Sequence, residues 1–235
     1  PDLIYVSISG FGESGPYIKK RVYDPVIQAL SGLTDVQRDR DTGKPHMMRL
    51  VIPDKVTSLT AAQAITAALL SRERTGKGQH VRLAMLDAVV SFVWPEGMAD
   101  QTIVKETRHN SSDLDQRPEL IFETTDGFIT AGAMSNKEWE GLVRALEQPQ
   151  WLEDPLFQTP ADRMKHAPHR LELMSQVIRT RSTGEWISRL DAEEVPCAPI
   201  LRRDEVRHNE QVIANNLIVE SDHPHVGRTR MPRPP

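Results

Sequence analysis

The chain has 235 residues, enough to bury its own core in one large or two small domains, and its 38% hydrophobic and 26% charged content sets aside disordered and collagen-like classes. A net charge of -4 argues against a general electrostatic grip on nucleic acid, and no apolar run approaches the ~20 residues that span a bilayer. The single cysteine, Cys197, excludes an internal disulfide, so the expected setting is reducing and cytoplasmic, with no nucleic acid and no membrane as partner.

Leu3 to Ser9 alternates and is rich in β-branched residues, then stops at the glycines and proline of Gly10 to Pro16, which predicts a strand followed by a loop. The loop lacks the Lys-Ser/Thr ending of a P-loop and the spacing of a dinucleotide fingerprint, so by itself it reads as a turn. The chain enters this strand at once, without a methionine, and ends in Arg-Pro-Pro, which reads as a piece of a longer protein. Asp24 to Leu33 has helical spacing, with Pro25 suited to the first turn and Gly32 near the end. A polar loop runs to His46, and the apolar run Arg49 to Pro53 reads as a short strand ended by proline. Asp54 then opens the clearest helix of the chain, dense in alanine, which closes at Arg72-Glu73-Arg74 and the turn Thr75 to Gln79. His80 to Met85 alternates as a strand, and Leu86 to Trp94 continues as an apolar helix.

Residues 102–118 are polar and charged and mark a linker between two domains. Beyond it, Glu119 to Thr124 and Phe128 to Gly132 flank Asp126-Gly127, a strong hairpin signal. Helices are expected at Asn136 to Leu146 with Ser135 as cap, at Pro160 to Arg179 and at Thr183 to Leu190. Cys197 to Leu201 reads as a short buried strand and Leu217 to Glu220 as the last one. Arg228, Arg230 and Arg233 lie among prolines and read as a solvated segment. The predicted fold class is α/β, in the sense of a mixed α+β chain without internal repeat.

Asp54 is the carboxylate of greatest interest. Position alone leaves it two compatible readings: an N-cap accepting backbone N–H bonds, by far the commoner case, or a nucleophile aimed and electrostatically favoured by a helix N-terminus. Cys197, with no evident activating partner, reads as a core residue. No His/Cys/Asp cluster has ligand spacing, so no metal site is expected.

The run Asp2 to Gly12, the helix from Tyr23-Asp24 to Gly32, the pair Asp54-Lys55, and Arg72 to Gln79 followed by Met85-Leu86-Asp87-Ala88 together resemble class III CoA transferases. That family includes formyl-CoA and carnitine-CoA transferases and, by fold, α-methylacyl-CoA racemase. Trp139, the run Trp151 to Pro155 and the run Val195 to Ile200 extend the likeness into the family's small domain. The resemblance implies that residues 1–101 are the C-terminal part of a Rossmann-like, CoA-binding large domain, 119–220 a small α+β domain, and 221–235 a segment returning towards the large domain. It further implies an interlocked homodimer for the intact protein, acyl-CoA and a carboxylic acid as substrates, and no tightly bound cofactor.

On the same footing, Asp54 matches the aspartate that attacks the acyl-CoA thioester to give a mixed anhydride. Arg21 matches a basic position near the CoA moiety, with a surface arginine as the plain alternative. Tyr23 matches an active-site tyrosine of the formyl transferases, and Met85 a pocket methionine, with a core filler as its alternative. The racemase branch carries a histidine where this chain has Tyr23, so acyl transfer is favoured over racemisation; His46 and His80 are the remaining candidate bases, each with a surface residue as the plainer alternative. Two departures stand out. The segments that in the family precede the first strand and follow the small domain are absent, which keeps a truncated domain with a structural or binding role as a third reading. The glycine-rich loop of formyl-transferring members is missing between Thr102 and Glu119, which argues against formyl and oxalyl substrates.

Overall fold

A computed structural model describes residues 2–102 and 119–233, and the chain divides into two compact units, Pro1–Arg117 and Pro118–Pro235. Apart from Thr102, the expected linker at 102–118 lies outside the described residues.

In the first unit, β1 (Ile4–Ser9) and β2 (Gln79–Ala84) form a parallel pair, in register from Ile4 opposite Gln79 to Ser9 opposite Ala84. Parallel neighbours need a long crossover, and here it holds α1 (Asp24–Leu30), α2 (Leu33–Val36) and α3 (Ile52–Thr75). The helix α4 (Met85–Gly97) follows β2 without a loop. The core of this unit is built on Ile27, Leu33, Val89 and Val93, so α1, α2 and α4 share one apolar centre. Ala61 and Ala68 are the buried alanines of α3, and their small side chains allow close approach of its neighbours. The helix stops at Gly76, whose φ of +67° is the left-handed conformation that lets its N–H return to the Arg72 carbonyl at 2.7 Å.

In the second unit, β3 (Ile121–Glu123), β4 (Phe128–Ala131) and β5 (Cys197–Pro199) form an antiparallel sheet in the order β3-β4-β5. Over it pack α5 (Asn136–Ala145), α7 (Ala167–Ile178) and α8 (Thr183–Ala192), around a core that includes Ile129, Leu142, Trp139, Trp186 and Ile178. Capping boxes start α5 at Ser135 and Glu138 and α8 at Ser182 and Glu185, each satisfying two otherwise open N–H groups. Arg163 and Arg170 are buried beside Trp139, with guanidinium carbons 5.4 and 6.0 Å from its ring centre, and burial lowers the pKa of both. Arg163 meets its donors' needs through the Phe157 carbonyl and Asn136 Oδ1. The unit is completed by α6 (Pro160–Lys165), α9 (Glu210–Ala214) and the antiparallel hairpin β6 (Ile218–His223) and β7 (Gly227–Pro232).

Several expectations need correction. Arg49 to Pro53 is not a strand: Ile52 and Pro53 already belong to the first turn of α3, where a proline costs no hydrogen bond. Asp54 is therefore the third helical residue and not the cap. The helix expected over Pro160 to Arg179 is two helices, because the chain leaves helical geometry at His166 and Pro168 opens the next one. Cys197 to Pro199 is a strand but only partly buried. Arg228 and Arg230 are exposed, as a solvated segment should be, but they belong to strand β7, where both pair with Glu220 across the hairpin. The boundary drawn at Glu220 falls inside β6.

Candidate active site

The two parallel strands end together, Ser9 opposite Ala84, and that carboxyl edge is where open parallel sheets bind ligands. Gly10 leaves β1 there, and Met85 opens α4 there. The Leu86 N–H donates to the Gly10 carbonyl at 3.1 Å, joining the start of α4 to the exit of β1. Gly10 is glycine for a reason of space: a Cβ at this position would come within 2.6 Å of Val22 Cγ1 and 2.8 Å of its Cβ. That approach brings the segment of Arg21, Val22 and Tyr23 to the same edge, with Tyr23 as the N-cap residue of α1.

The N-terminus of α3 reaches this edge from the far end of its 24 residues, because its C-terminus leads directly into β2. Its first-turn donors can be accounted for one by one. The Ile52 N–H donates to the Leu50 carbonyl at 2.9 Å, Pro53 has no N–H, and the Lys55 N–H makes the ordinary helical bond to Val51 at 3.2 Å. Asp54 carries the remaining donor, and Val51, the cap residue, has no side chain able to accept it. The acceptor comes from another helix: Asp24 Oδ2, 3.4 Å away. Asp24 is buried, and Gln28, also buried, donates Nε2–H to its Oδ1 at 2.6 Å. An unmade bond at such a buried group costs about 1–3 kcal/mol, so the pairing is strongly favoured.

Three contacts connect the segments that carry the four residues singled out from the sequence: the close approach of Gly10 to the Val22 side chain between Arg21 and Tyr23, the Asp24 carboxyl on the Asp54 N–H, and the backbone bond from Leu86, next to Met85, to Gly10. Asp54, Arg21 and Tyr23 are exposed. Met85 is half-buried and packs against the Ile27–Val93 core. The N-termini of α3 and α4 both lie here, and each adds partial positive charge that favours an anion.

Of the two histidines, His80 is set back from this edge. His80 stands opposite Tyr5, four residues before the end of β2 and so about 13 Å back along the strand. Arg82 Nε can only donate, so its 3.2 Å contact makes His80 Nδ1 the acceptor and leaves the ring proton on Nε2, bonded to Ser7 Oγ at 2.8 Å. His46 is an exposed loop residue whose backbone N–H donates to the Thr34 carbonyl at 3.2 Å. Among the described residues, no three of His, Cys, Asp and Glu gather as a metal site, and no helix is long and apolar enough to cross a membrane. In the second unit a cleft of about 510 Å³ is lined by Arg207, His208, Val212, Ile218, Glu220 and Arg230, with Glu220 already taken up by its two arginines.

Sequence reasoning missed Asp24 and Gln28 as parts of the site. Their spacing of four was legible as one face of a helix, but nothing in a seven-residue helix says which face is buried.

A family model described as CoA-transferase family III matches residues 1–235. The succinyl-CoA:glutarate CoA-transferase of Mus musculus is 30% identical over 239 residues, which cover 100% of this chain and 54% of that protein. The formyl-CoA:oxalate CoA-transferase of Streptomyces coelicolor is 28% identical over 245 residues, covering 97% and 59%. The chain spans about half the length of the curated relatives it matches. Among solved structures, Rv3272 from Mycobacterium tuberculosis superposes with a TM-score of 0.83 at 25% identity, over 99% of this chain and 62% of that one. A CAIB/BAIF family protein from Brucella suis superposes with a TM-score of 0.75 over 100% and 65%, a likeness of fold.

Proposed function

The chain belongs to CoA-transferase family III, and from that premise we propose that it carries the nucleophile, Asp54, of an acyl-CoA:carboxylate CoA transferase. The observation that carries this reading is the setting of Asp54: first turn of α3, exposed, at the carboxyl edge of the parallel pair, with its backbone donor held by Asp24. A side chain in that place is free to meet a substrate while its main chain is fixed.

In the proposed cycle an Asp54 oxygen attacks the thioester carbonyl, the C–S bond breaks, and a mixed anhydride and CoA thiolate result. The thiolate then attacks the aspartyl carbon, releasing the donor acid and leaving an aspartyl–CoA thioester. The acceptor carboxylate attacks that thioester, again giving an anhydride and thiolate, and attack of the thiolate on the acceptor acyl carbon yields the new acyl-CoA and regenerates Asp54. Each step exchanges one activated acyl bond for another, so the thioester energy is kept as long as water is excluded. Arg21 is proposed to meet a CoA phosphate, Tyr23 to line the reacting centre and Met85 to back the pocket. We extend the reading to a Rossmann-like large domain, of which the parallel pair is part, in an interlocked homodimer, with CoA as substrate and no tightly bound cofactor. Tyr23, in the place of a second base, and the engagement of His80 with Ser7 and Arg82 weigh against racemisation.

The test is to incubate the intact protein that carries these residues with succinyl-CoA, acetyl-CoA or formyl-CoA, add hydroxylamine, and map the products by mass spectrometry. A hydroxamate on Asp54 is expected, and Asp54→Ala should lower turnover by roughly a thousandfold or more. Absence of any adduct from folded protein with all three donors overturns the assignment; exchange of an α-hydrogen with deuterated water in its place would favour the racemase.

A further inference from the structure

Gln28 is 2% exposed and lies one helical turn after Asp24. A primary amide at such a site must find partners for its donors and acceptor or lose their hydration without return. Its Oε1 accepts the Met48 N–H at 3.0 Å. Its Nε2 donates to Asp24 Oδ1 at 2.6 Å and reaches the Met48 and Leu50 carbonyls, each at 3.4 Å. The Leu50 carbonyl also receives the first N–H of α3, from Ile52, and Asp24 receives the open N–H of Asp54. One buried amide therefore holds both the chain that enters α3 and the carboxyl that caps it. Filling the volume would need only an apolar side chain of the same length; these contacts instead fix how far the first turn of α3 projects and how it is rolled about its axis.

We propose that Gln28 is a positioning residue for Asp54, holding the first turn of α3 so that the Asp54 carboxylate meets the acyl carbon along a productive line. The inference rests on the reading of Asp54 as the nucleophile. Displacing a reacting group by about 1 Å can cost on the order of a hundredfold in rate, whereas CoA binding by other residues is untouched. The signature of positioning is a loss in kcat with KM preserved.

The test compares Gln28→Met, which keeps length and volume without the hydrogen bonds, with Gln28→Glu, which keeps an acceptor for the Met48 N–H. Both are made in the intact protein and assayed with the acyl-CoA that labels Asp54 in the wild type, well below their thermal midpoints. Gln28→Met is expected to lower kcat and the rate of Asp54 labelling roughly ten- to a hundredfold, with KM for acyl-CoA within about twofold, and Gln28→Glu to lose at least as much, because its carboxyl faces that of Asp24 where the amide donated to it. Wild-type kcat in folded Gln28→Met, a loss that appears mainly as a raised KM, or loss of the fold in both variants would overturn the proposal, the last in favour of a purely core role. Failure of the underlying reading shows itself separately, as a wild type that never labels on Asp54.

Discussion

Burial first, and then the carboxyl of Asp191 that accepts from Sγ at 3.5 Å, push the Cys197 thiol up from its ordinary 9.0 to about 11. Both causes act against the thiolate, the form that reacts, so at pH 8 its population falls by about a hundredfold. Alkylation by iodoacetamide at that pH, followed by mass spectrometry, should be slower than for free cysteine by about that factor and recover on denaturation. Asp191→Asn should return part of the rate, because it removes the negative charge but not the burial. The lack of an evident activating partner for Cys197 was legible in the sequence; its partial exposure was not, because β5 is a strand of only three residues at the edge of its sheet. The same limit applies at the site. Asp54 could be found from its neighbours in sequence, but its capping partner is 30 residues away, and only the folded crossover brings the two together.

Local signals were reliable where one element contains both halves of an interaction. Ser135, three residues ahead of Glu138, is a cap wherever the chain places it, and the hairpin expected at Asp126-Gly127 forms, closed by the Thr124 N–H on the Gly127 carbonyl at 2.9 Å, although neither Asp126 nor Gly127 takes the positive φ of a tight Asp-Gly turn. They were silent where the partner lies in another element: Arg228 and Arg230 are exposed, as a solvated segment should be, but the strand they belong to and their shared partner Glu220 appear only across the β6–β7 turn. The junction of β3–β4 with α8 joins both kinds. Asp126 Oδ1 accepts the Thr183 N–H at 2.7 Å, Thr124 and Thr183 hydroxyls lie 2.8 Å apart, and Ser182 with Glu185 closes the capping box beside them. Ser182→Ala should cost about 1 kcal/mol in a urea titration of the second unit. Hydrogen bonds from Thr183 hold Asp126 below 3.8, and those from Ser182 hold Glu185 below 4.5. Folded values lowered in this way support the junction above pH 4.5 and lose their contribution as the pH falls through them. Amide exchange at Thr183 and Glu185, corrected for intrinsic rate, should therefore rise on acidification below pH 4.5, and Asp126→Asn should remove the part due to Asp126.

At the level of the whole chain the two units differ in how much of their apolar surface they bury themselves. The second has a core of fifteen buried residues among those described, including three tryptophans, Trp139, Trp151 and Trp186, with Trp186 Nε1–H satisfied by the Ile178 carbonyl at 2.6 Å. The first gathers four, Ile27, Leu33, Val89 and Val93, while Tyr5, Ile8, Leu59, Leu70 and Phe92 are each more than half exposed. Hydrophobic burial is the main term opposing chain entropy, and at roughly 25 cal/mol per Å² a unit that leaves such side chains in water forfeits several kcal/mol of it. Residues 118–235 alone should therefore fold, with near-ultraviolet circular dichroism from ordered tryptophans and a single cooperative thermal transition. Residues 1–117 alone should bind a hydrophobic dye and self-associate, because among the described residues the parallel pair keeps apolar side chains in water and open strand edges. A cooperative, dye-silent monomer of 1–117 would mean that its exposed apolar groups are tolerated singly and that Asp54 sits on a unit stable by itself; the labelling experiment could then be repeated on that piece, separating what the parallel pair does alone from what the rest of the chain contributes.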